Sequence, residues 1–187
     1  MGRRPQPEIR ERLLDACVSY ALEHGLPDRM GPLAEAAGTS TRMLVYHFGS
    51  RDGLLREVLR RGRRRQLEVF GELLRVRPDE PYLDTLDRAW DAMTGETGRP
   101  YLRLFDAAHV AQLRDSAGRP LWPDFRRVAT TDWLGPLERG LGSPERATVV
   151  LATLRGLLMD RAATGDEERT TRAWRAFITG LRTWVEV

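Results

Sequence analysis

The sequence predicts an all-α protein: an N-terminal three-helix helix-turn-helix domain, a connecting helix, and a longer helical domain behind it. Three observations carry that expectation. Apolar residues recur at helical spacing along almost the whole chain. Glycines, prolines and capping residues interrupt the pattern at intervals suited to helices of ordinary length. Near the amino end, two helical segments are separated only by Gly38-Thr39-Ser40, a corner too tight for anything but a helix-turn-helix or a bundle hairpin.

The first helix is expected over 8–24, with Ile9, Leu13, Cys17, Tyr20 and Ala21 on one face and Gly25 ending it. Cys17 lies on that apolar stripe and reads as a small core residue. A short second helix fits 30–37, because Pro32 falls in the first turn, where its missing N–H has no intrahelical partner. Gly38 stops it and Ser40 caps the third helix, 41–47. There Leu44 and Phe48, four residues apart, face inward and leave Thr41, Arg42, Val45 and Tyr46 freer. The fourth helix is expected from Asp52 to about Leu74, with an inner stripe running from Leu55 to Leu73. Its block Arg60-Arg61-Gly62-Arg63-Arg64-Arg65 points in several directions over almost two turns and reads as a solvated face.

The run Arg77-Pro78-Asp79-Glu80-Pro81 breaks the pattern. It sets a division into domains at 1–51 and 78–187 joined by a connecting helix, 52–77. Beyond it, helices are expected near 82–96, 100–116, 122–139, 144–164 and 167–185. Ser143-Pro144-Glu145 combines a cap, a first-position proline and an early acid.

Composition narrows the function. Charged residues make up 30% of the 187, and no apolar run approaches the ~18 residues of a membrane span, so no membrane partner is expected. The basic start lacks a following apolar segment, which predicts a cytoplasmic protein. All 30 basic residues are arginine; 15 of them stand before residue 78 against 10 acids, the remaining 15 against 17. A cationic front half suits a polyanion reader, although charge alone fits a solvated face equally well. Arg3 and Arg4 offer an arm toward DNA or a plain basic tail. Neither a CxxC pair nor a His cluster announces a metal, and no cofactor is expected. His24, His47 and His109 are scattered, and no nucleophile elbow, P-loop or dinucleotide motif is present, so an enzyme is not expected. A helical adaptor that pairs with proteins and never touches DNA is the alternative.

The stretch Leu33-Ala34-Glu35-Ala36-Ala37-Gly38-Thr39-Ser40, followed by Leu44-Val45-Tyr46-His47-Phe48-Gly49-Ser50-Arg51-Asp52-Gly53-Leu54-Leu55, resembles the amino-terminal domain of the TetR family of transcriptional regulators. The resemblance covers residues 8 to about 56. It implies a ligand-responsive regulator, repression being the commoner mode, that binds a palindromic double-stranded DNA operator as a homodimer. It places the third helix in the major groove, so that Thr41, Arg42 and Tyr46 meet base edges; Arg42 leads, since one guanidinium can bond guanine O6 and N7 together. It gives phosphate contacts to Ser40, His47 and Arg51. Three positions depart from the pattern: Val45 replaces the usual tyrosine, Thr39 a small apolar turn residue, and Arg29 the usual cap of the second helix, leaving Asp28 as a substitute.

The rear segments carry no ligand motif. Trp90, Met93, Tyr101, Phe105, His109, Trp122, Phe125 and Trp133 are large enough to line a pocket for a small apolar or aromatic effector, or to fill a core. Val150, Leu151, Leu154, Leu158 and Ala162 on one helix, with Ala173, Phe177, Leu181 and Trp184 on the next, would serve a four-helix interface between two copies or an internal core. The resemblance favours the dimer.

Overall fold

In the computed structural model, which describes residues 7–105, 110 and 113–185 except for the side chains of Arg126, Trp184 and Val185, the described residues form nine helices and no strand. Two compact units divide the chain: one runs to Gln66 and adds Pro100–Arg126, the other takes Leu67–Arg99 and Arg127–Val187. The division therefore crosses the fourth helix near residue 66, whereas the sequence pattern placed its breaks at 51 and 77.

In the first unit, α1 (Pro7–His24) buries Leu13, Leu14, Cys17, Val18 and Ala21. α2 (Gly31–Ala36) supplies Leu33 and Ala34, and the Cys17 thiol donates to the Leu33 carbonyl at 3.7 Å. Burial pushes that thiol up to about 11, as befits an unreactive core sulfur. Met30, without a side-chain cap, begins α2, so Asp28 does not take the expected capping role. Gly38, at φ +60°, closes α2 with its N–H on Glu35 while the Thr39 N–H bonds Ala34 at 2.9 Å. α3 (Thr41–Phe48) then leaves at an angle set by that corner.

α4 (Arg51–Leu73) corrects the reading of its arginine block. Arg61 and Arg65, one turn apart, meet Glu11 and Asp15, also one turn apart on α1: Arg61 pairs with both acids and Arg65 with Asp15 at 2.9 Å. Arg63 is buried, bonded to Gln66 and lying over the Phe125 ring at 6.0 Å. Only Arg60 and Arg64 of the five arginines are exposed. Opposite charges at matching one-turn spacing on α1 and α4 are what draw Arg61 and Arg65 partly out of solvent.

The expected helix over 100–116 is also corrected. α6 (Arg99–Leu104) is short, and residues 113–121 form a hairpin bridged between Arg114 and Pro120. Asp115 causes the change, since its carboxylate accepts the Ala117 and Arg119 N–H groups at 3.0 and 2.9 Å and so offers the backbone an alternative to the helical ladder. Phe105 and Phe125 stack at 6.0 Å inside this unit. Gly62 on α4 is the seat for Phe105, whose ring lies where a larger residue would reach.

The second unit is built on α5 (Tyr82–Thr94), α7 (Phe125–Leu141, all but its first two residues), α8 (Pro144–Thr164) and α9 (Glu167–Val185). Ser143 caps α8 by accepting the Arg146 N–H, Pro144 follows, and Gly165 ends the helix in the left-handed region, as the sequence pattern required. α9 packs on α8 and α5, with Trp90 stacked on Trp174 at 5.2 Å and Arg175 bridging Asp87 and Asp91. Tyr82 is buried, donates to the Leu74 and Pro136 carbonyls, and has its hydroxyl pushed up to about 12 by burial. Its ring occupies the space over Gly140 that a Cβ would need. Gly140→Ala is therefore expected to destabilise the protein by about 1–3 kcal/mol, read as a lowered thermal midpoint; an unchanged midpoint would show that α7 and Tyr82 part without cost.

Candidate nucleic-acid interface

Two buried side chains fix which face of α3 is available. Leu44 and Phe48 are fully or nearly fully covered, one turn apart, so the rest of this eight-residue helix turns outward. The Ser40 hydroxyl accepts the Met43 N–H at 3.3 Å, starting the helix as predicted. Thr41 and Arg42 are exposed, and so are Met43, Val45 and Tyr46 at 41, 42 and 52%. Five exposed positions on either side of buried Leu44 thus combine a guanidinium, hydroxyls and apolar surface. Met43 was not singled out by the sequence; its position between the inward Leu44 and the exposed Arg42 was the signal.

The expected phosphate contacts are placed less uniformly. Ser40 is exposed, with its hydroxyl engaged as the cap. His47 is half-buried, its ring edge-on to Tyr46 at 5.1 Å, and its Nδ1 is buried without a hydrogen-bond partner among the described residues. Arg51 turns back onto the loop before α2, donating through Nε to the Asp28 carbonyl at 3.1 Å and through Nη2 to Pro27 at 3.5 Å. It ties the start of α4 to that loop. Arg10, another residue the sequence pattern did not single out, holds the far end of α3. Its Nε donates to the His47 carbonyl, its guanidinium lies over Phe48 at 4.8 Å, and it pairs with Glu57 of α4 at 3.3 Å.

α4 also grips the hairpin. Asp52 accepts the Ser116 N–H at 2.7 Å, and Arg56 donates to Asp115 at 3.1 Å. Both carboxyls are held below the usual carboxylate range, Asp52 chiefly by the Ser116 backbone bond and Asp115 chiefly by the Arg119 backbone bond. Beside this clamp lies a cavity of about 400 Å³ whose walls include Arg56, Leu59, Arg60, Arg119 and Trp122.

The aromatic candidates for a pocket do not gather in one unit. Tyr101, Phe105, Trp122 and Phe125 belong to the first unit, and of these Trp122 lines the cavity while Phe105 and Phe125 are buried. Trp90, Met93 and Trp133 belong to the second. Trp90 and Met93 are core there, the void beside them measuring only about 10 Å³, and half-buried Trp133 leans on Phe70 at 5.9 Å. His109 lies outside the described residues. Of the interface candidates, Val150, Leu151 and Leu181 are buried within their own unit, because the inward stripe of α9 is Thr170, Trp174, Ile178 and Leu181. Leu154, Leu158, Ala173 and Phe177 are half-exposed and Ala162 exposed; the Trp184 side chain is outside the described residues. No described helix is long and apolar enough to cross a membrane.

A three-helix head with a capped, outward-facing third helix defines the class of helix-turn-helix proteins. No family model matches the chain, and no curated protein matches it in sequence. Solved structures do match. A protein from Rhodococcus sp. RHA1 described as a candidate transcriptional regulator aligns over 92% of this chain and 94% of its own, with TM-score 0.68 and 22% identity. A TetR transcriptional regulator from Streptomyces coelicolor covers 92 and 97% at TM-score 0.53 and 22% identity. The multidrug binding protein EbrR, solved with imidazole, covers 94 and 93% at TM-score 0.62 and 25% identity. The chain thus has the fold of the TetR-type transcriptional regulators, as the resemblance of residues 8 to 56 implied.

A depressed folded-state carboxyl stabilises above its unfolded value and loses that contribution as the pH falls. Asp52 and Asp115 should therefore release the hairpin from α4 on acidification below about pH 4. The Ser116 and Arg119 amide resonances, followed from neutral pH downward, are expected to stay in place to about pH 4 and to shift together below it; amides that move apart from one another, or already above that range, would disprove the clamp.

Proposed function

We propose that the protein is a DNA-binding transcriptional regulator that reads its operator with α3, works as a homodimer and is released by a small-molecule effector. The observation that carries this reading is the outward face of α3, where Arg42 stands among Thr41, Met43, Val45 and Tyr46 while Leu44 and Phe48 lock the helix from behind. A guanidinium suits guanine, and the apolar Met43 and Val45 suit thymine methyls. The first 77 residues, with 15 arginines against 10 acids, carry the net positive charge that attraction to phosphates requires. The TetR-type neighbours, one of them a multidrug binding protein, support the same reading.

The second copy is expected on α8 and α9. Val149, Ala152, Gly156, Met159 and Ala163 lie on the α8 face opposite the buried Ala147, Val150 and Leu151, and all five are exposed, Met159 at 66%. The five recur at alternating three- and four-residue spacing, and the small Ala152, Gly156 and Ala163 among them admit a helix at close range. Half-exposed Ala173 and Phe177 flank them on α9. Charge at the centre of that surface should split the pair. Met159→Arg is accordingly expected to sediment as a monomer where the native chain sediments as a dimer, with its helical content unchanged; a dimeric variant would move the interface elsewhere.

Binding-site selection on random duplexes tests the DNA reading, with salt dependence separating it from a protein adaptor. Arg42→Ala should lose about 1–3 kcal/mol of base discrimination at one position and keep the native thermal midpoint. Arg51→Ala should behave differently, losing about 1 kcal/mol of stability because two loop carbonyls lose their donor. Unaltered selectivity in the Arg42 variant would remove α3 from the proposal.

A further inference from the structure

The cavity against the first turns of α4 combines concavity, one arginine unpaired among the described residues, two partly engaged arginines, and an indole. Arg56 and Arg60 stand one turn apart on α4 with Leu59 beside them, and Arg119, Leu121 and Trp122 face them from the hairpin and its continuation. At about 400 Å³ it falls within the range of small-molecule sites. Two carboxylates also border it, Asp115 and Asp124. Asp115 is already filled: one oxygen accepts the Ala117 and Arg119 backbone N–H groups, the other the side chains of Arg119 and Arg56 at 3.2 and 3.1 Å. Each guanidinium has five N–H donors, and those on Asp115 use up only part of what Arg56 and Arg119 carry. Arg60 is exposed and has neither a hydrogen bond nor an ion pair among the described residues.

Donors therefore exceed acceptors around a partly apolar space. Three arginines against two aspartates leave the lining with a single net positive charge.

We propose that this cavity binds a small monocarboxylic acid, its carboxylate on Arg60 and the free N–H groups of Arg56 and Arg119, and its apolar or aromatic body against Leu59, Leu121 and Trp122. A guanidinium cluster recognises a carboxylate through paired, charge-assisted bonds, and an indole face suits a flat body. The single net charge favours a monoanion over a dianion. The same Arg56 that would meet the acid also holds Asp115, and so the hairpin, against the helix that starts two residues after α3. A bound acid competes for that guanidinium and alters the hold of the hairpin on α4. Only this last link rests on the effector reading given above; the binding does not.

The test is calorimetric titration of the full-length protein with benzoate, indole-3-acetate and decanoate, beside benzyl alcohol as a neutral control and phthalate as a dianion. At least one monoacid is expected to bind, with benzyl alcohol and phthalate weaker. Arg60→Gln should weaken the acid about tenfold or more, Arg60→Lys should restore part of the loss, and Arg64→Gln, exposed on the same helix but outside the cavity lining, should change nothing. Absence of binding by all three acids, or equal binding by the native chain and Arg60→Gln, overturns the site. Operator binding is measured on the same samples. A chain that takes the acid and ignores DNA upholds the cavity and defeats the DNA-binding reading instead.

Discussion

The burial of Leu44 and Phe48 is the constraint on which the rest of the head depends. A helix of eight residues is too short to hold its shape in water, so α3 exists because these two side chains are pinned beneath it and because Ser40 and Gly49 close its ends. Once they are pinned, helical geometry leaves no choice about the rest: Arg42, Met43, Val45 and Tyr46 must face away from the protein. Arg10 reinforces the arrangement by joining the last turn of α3 to Glu57 of α4, so that the outward face is fixed with respect to the helix that follows it.

That following helix is organised by charge as much as by apolar contact. Along one side of α4, Arg61 and Arg65 answer Glu11 and Asp15 on α1; nearer its start, Asp52 and Arg56 hold the hairpin. Each half-exposed pair contributes only ~0.2–1 kcal/mol. Asp115 differs, being almost fully covered and bonded at every acceptor position, so removing one of its partners strands a buried charge.

How far the sequence could be read follows from where the information lies. α1, α3, α8 and their caps were legible because periodicity, Ser40, Ser143-Pro144 and the terminal glycines act locally. The exposed face of α3 was legible for the same reason, since two inward residues four apart settle it. The hairpin at 113–121 was not, because its cause is an aspartate that bonds backbone groups two and four residues on, which hydrophobic spacing does not register. The arginine block misled for a different reason. Whether Arg61 and Arg65 are solvated depends on acids some fifty residues earlier, and only packing brings them together. On α8 and α9 the apolar residues were found but not sorted, because helices apolar on more than one side carry a core stripe and an outer stripe in the same pattern.

The first unit is discontinuous in sequence, and this governs how it can be made. Its framework is written before Gln66, yet Phe105, the hairpin and Phe125 arrive only with Pro100–Arg126, after a stretch that belongs to the other unit. On the ribosome the helix-turn-helix therefore emerges early and must wait, with Asp52 and Arg56 unclasped and the seat at Gly62 open, until two thirds of the chain has been synthesised. Vectorial synthesis thus delays the finished first unit until Pro100–Arg126 has emerged, and an interrupted translation product would carry α3 on an unfinished support.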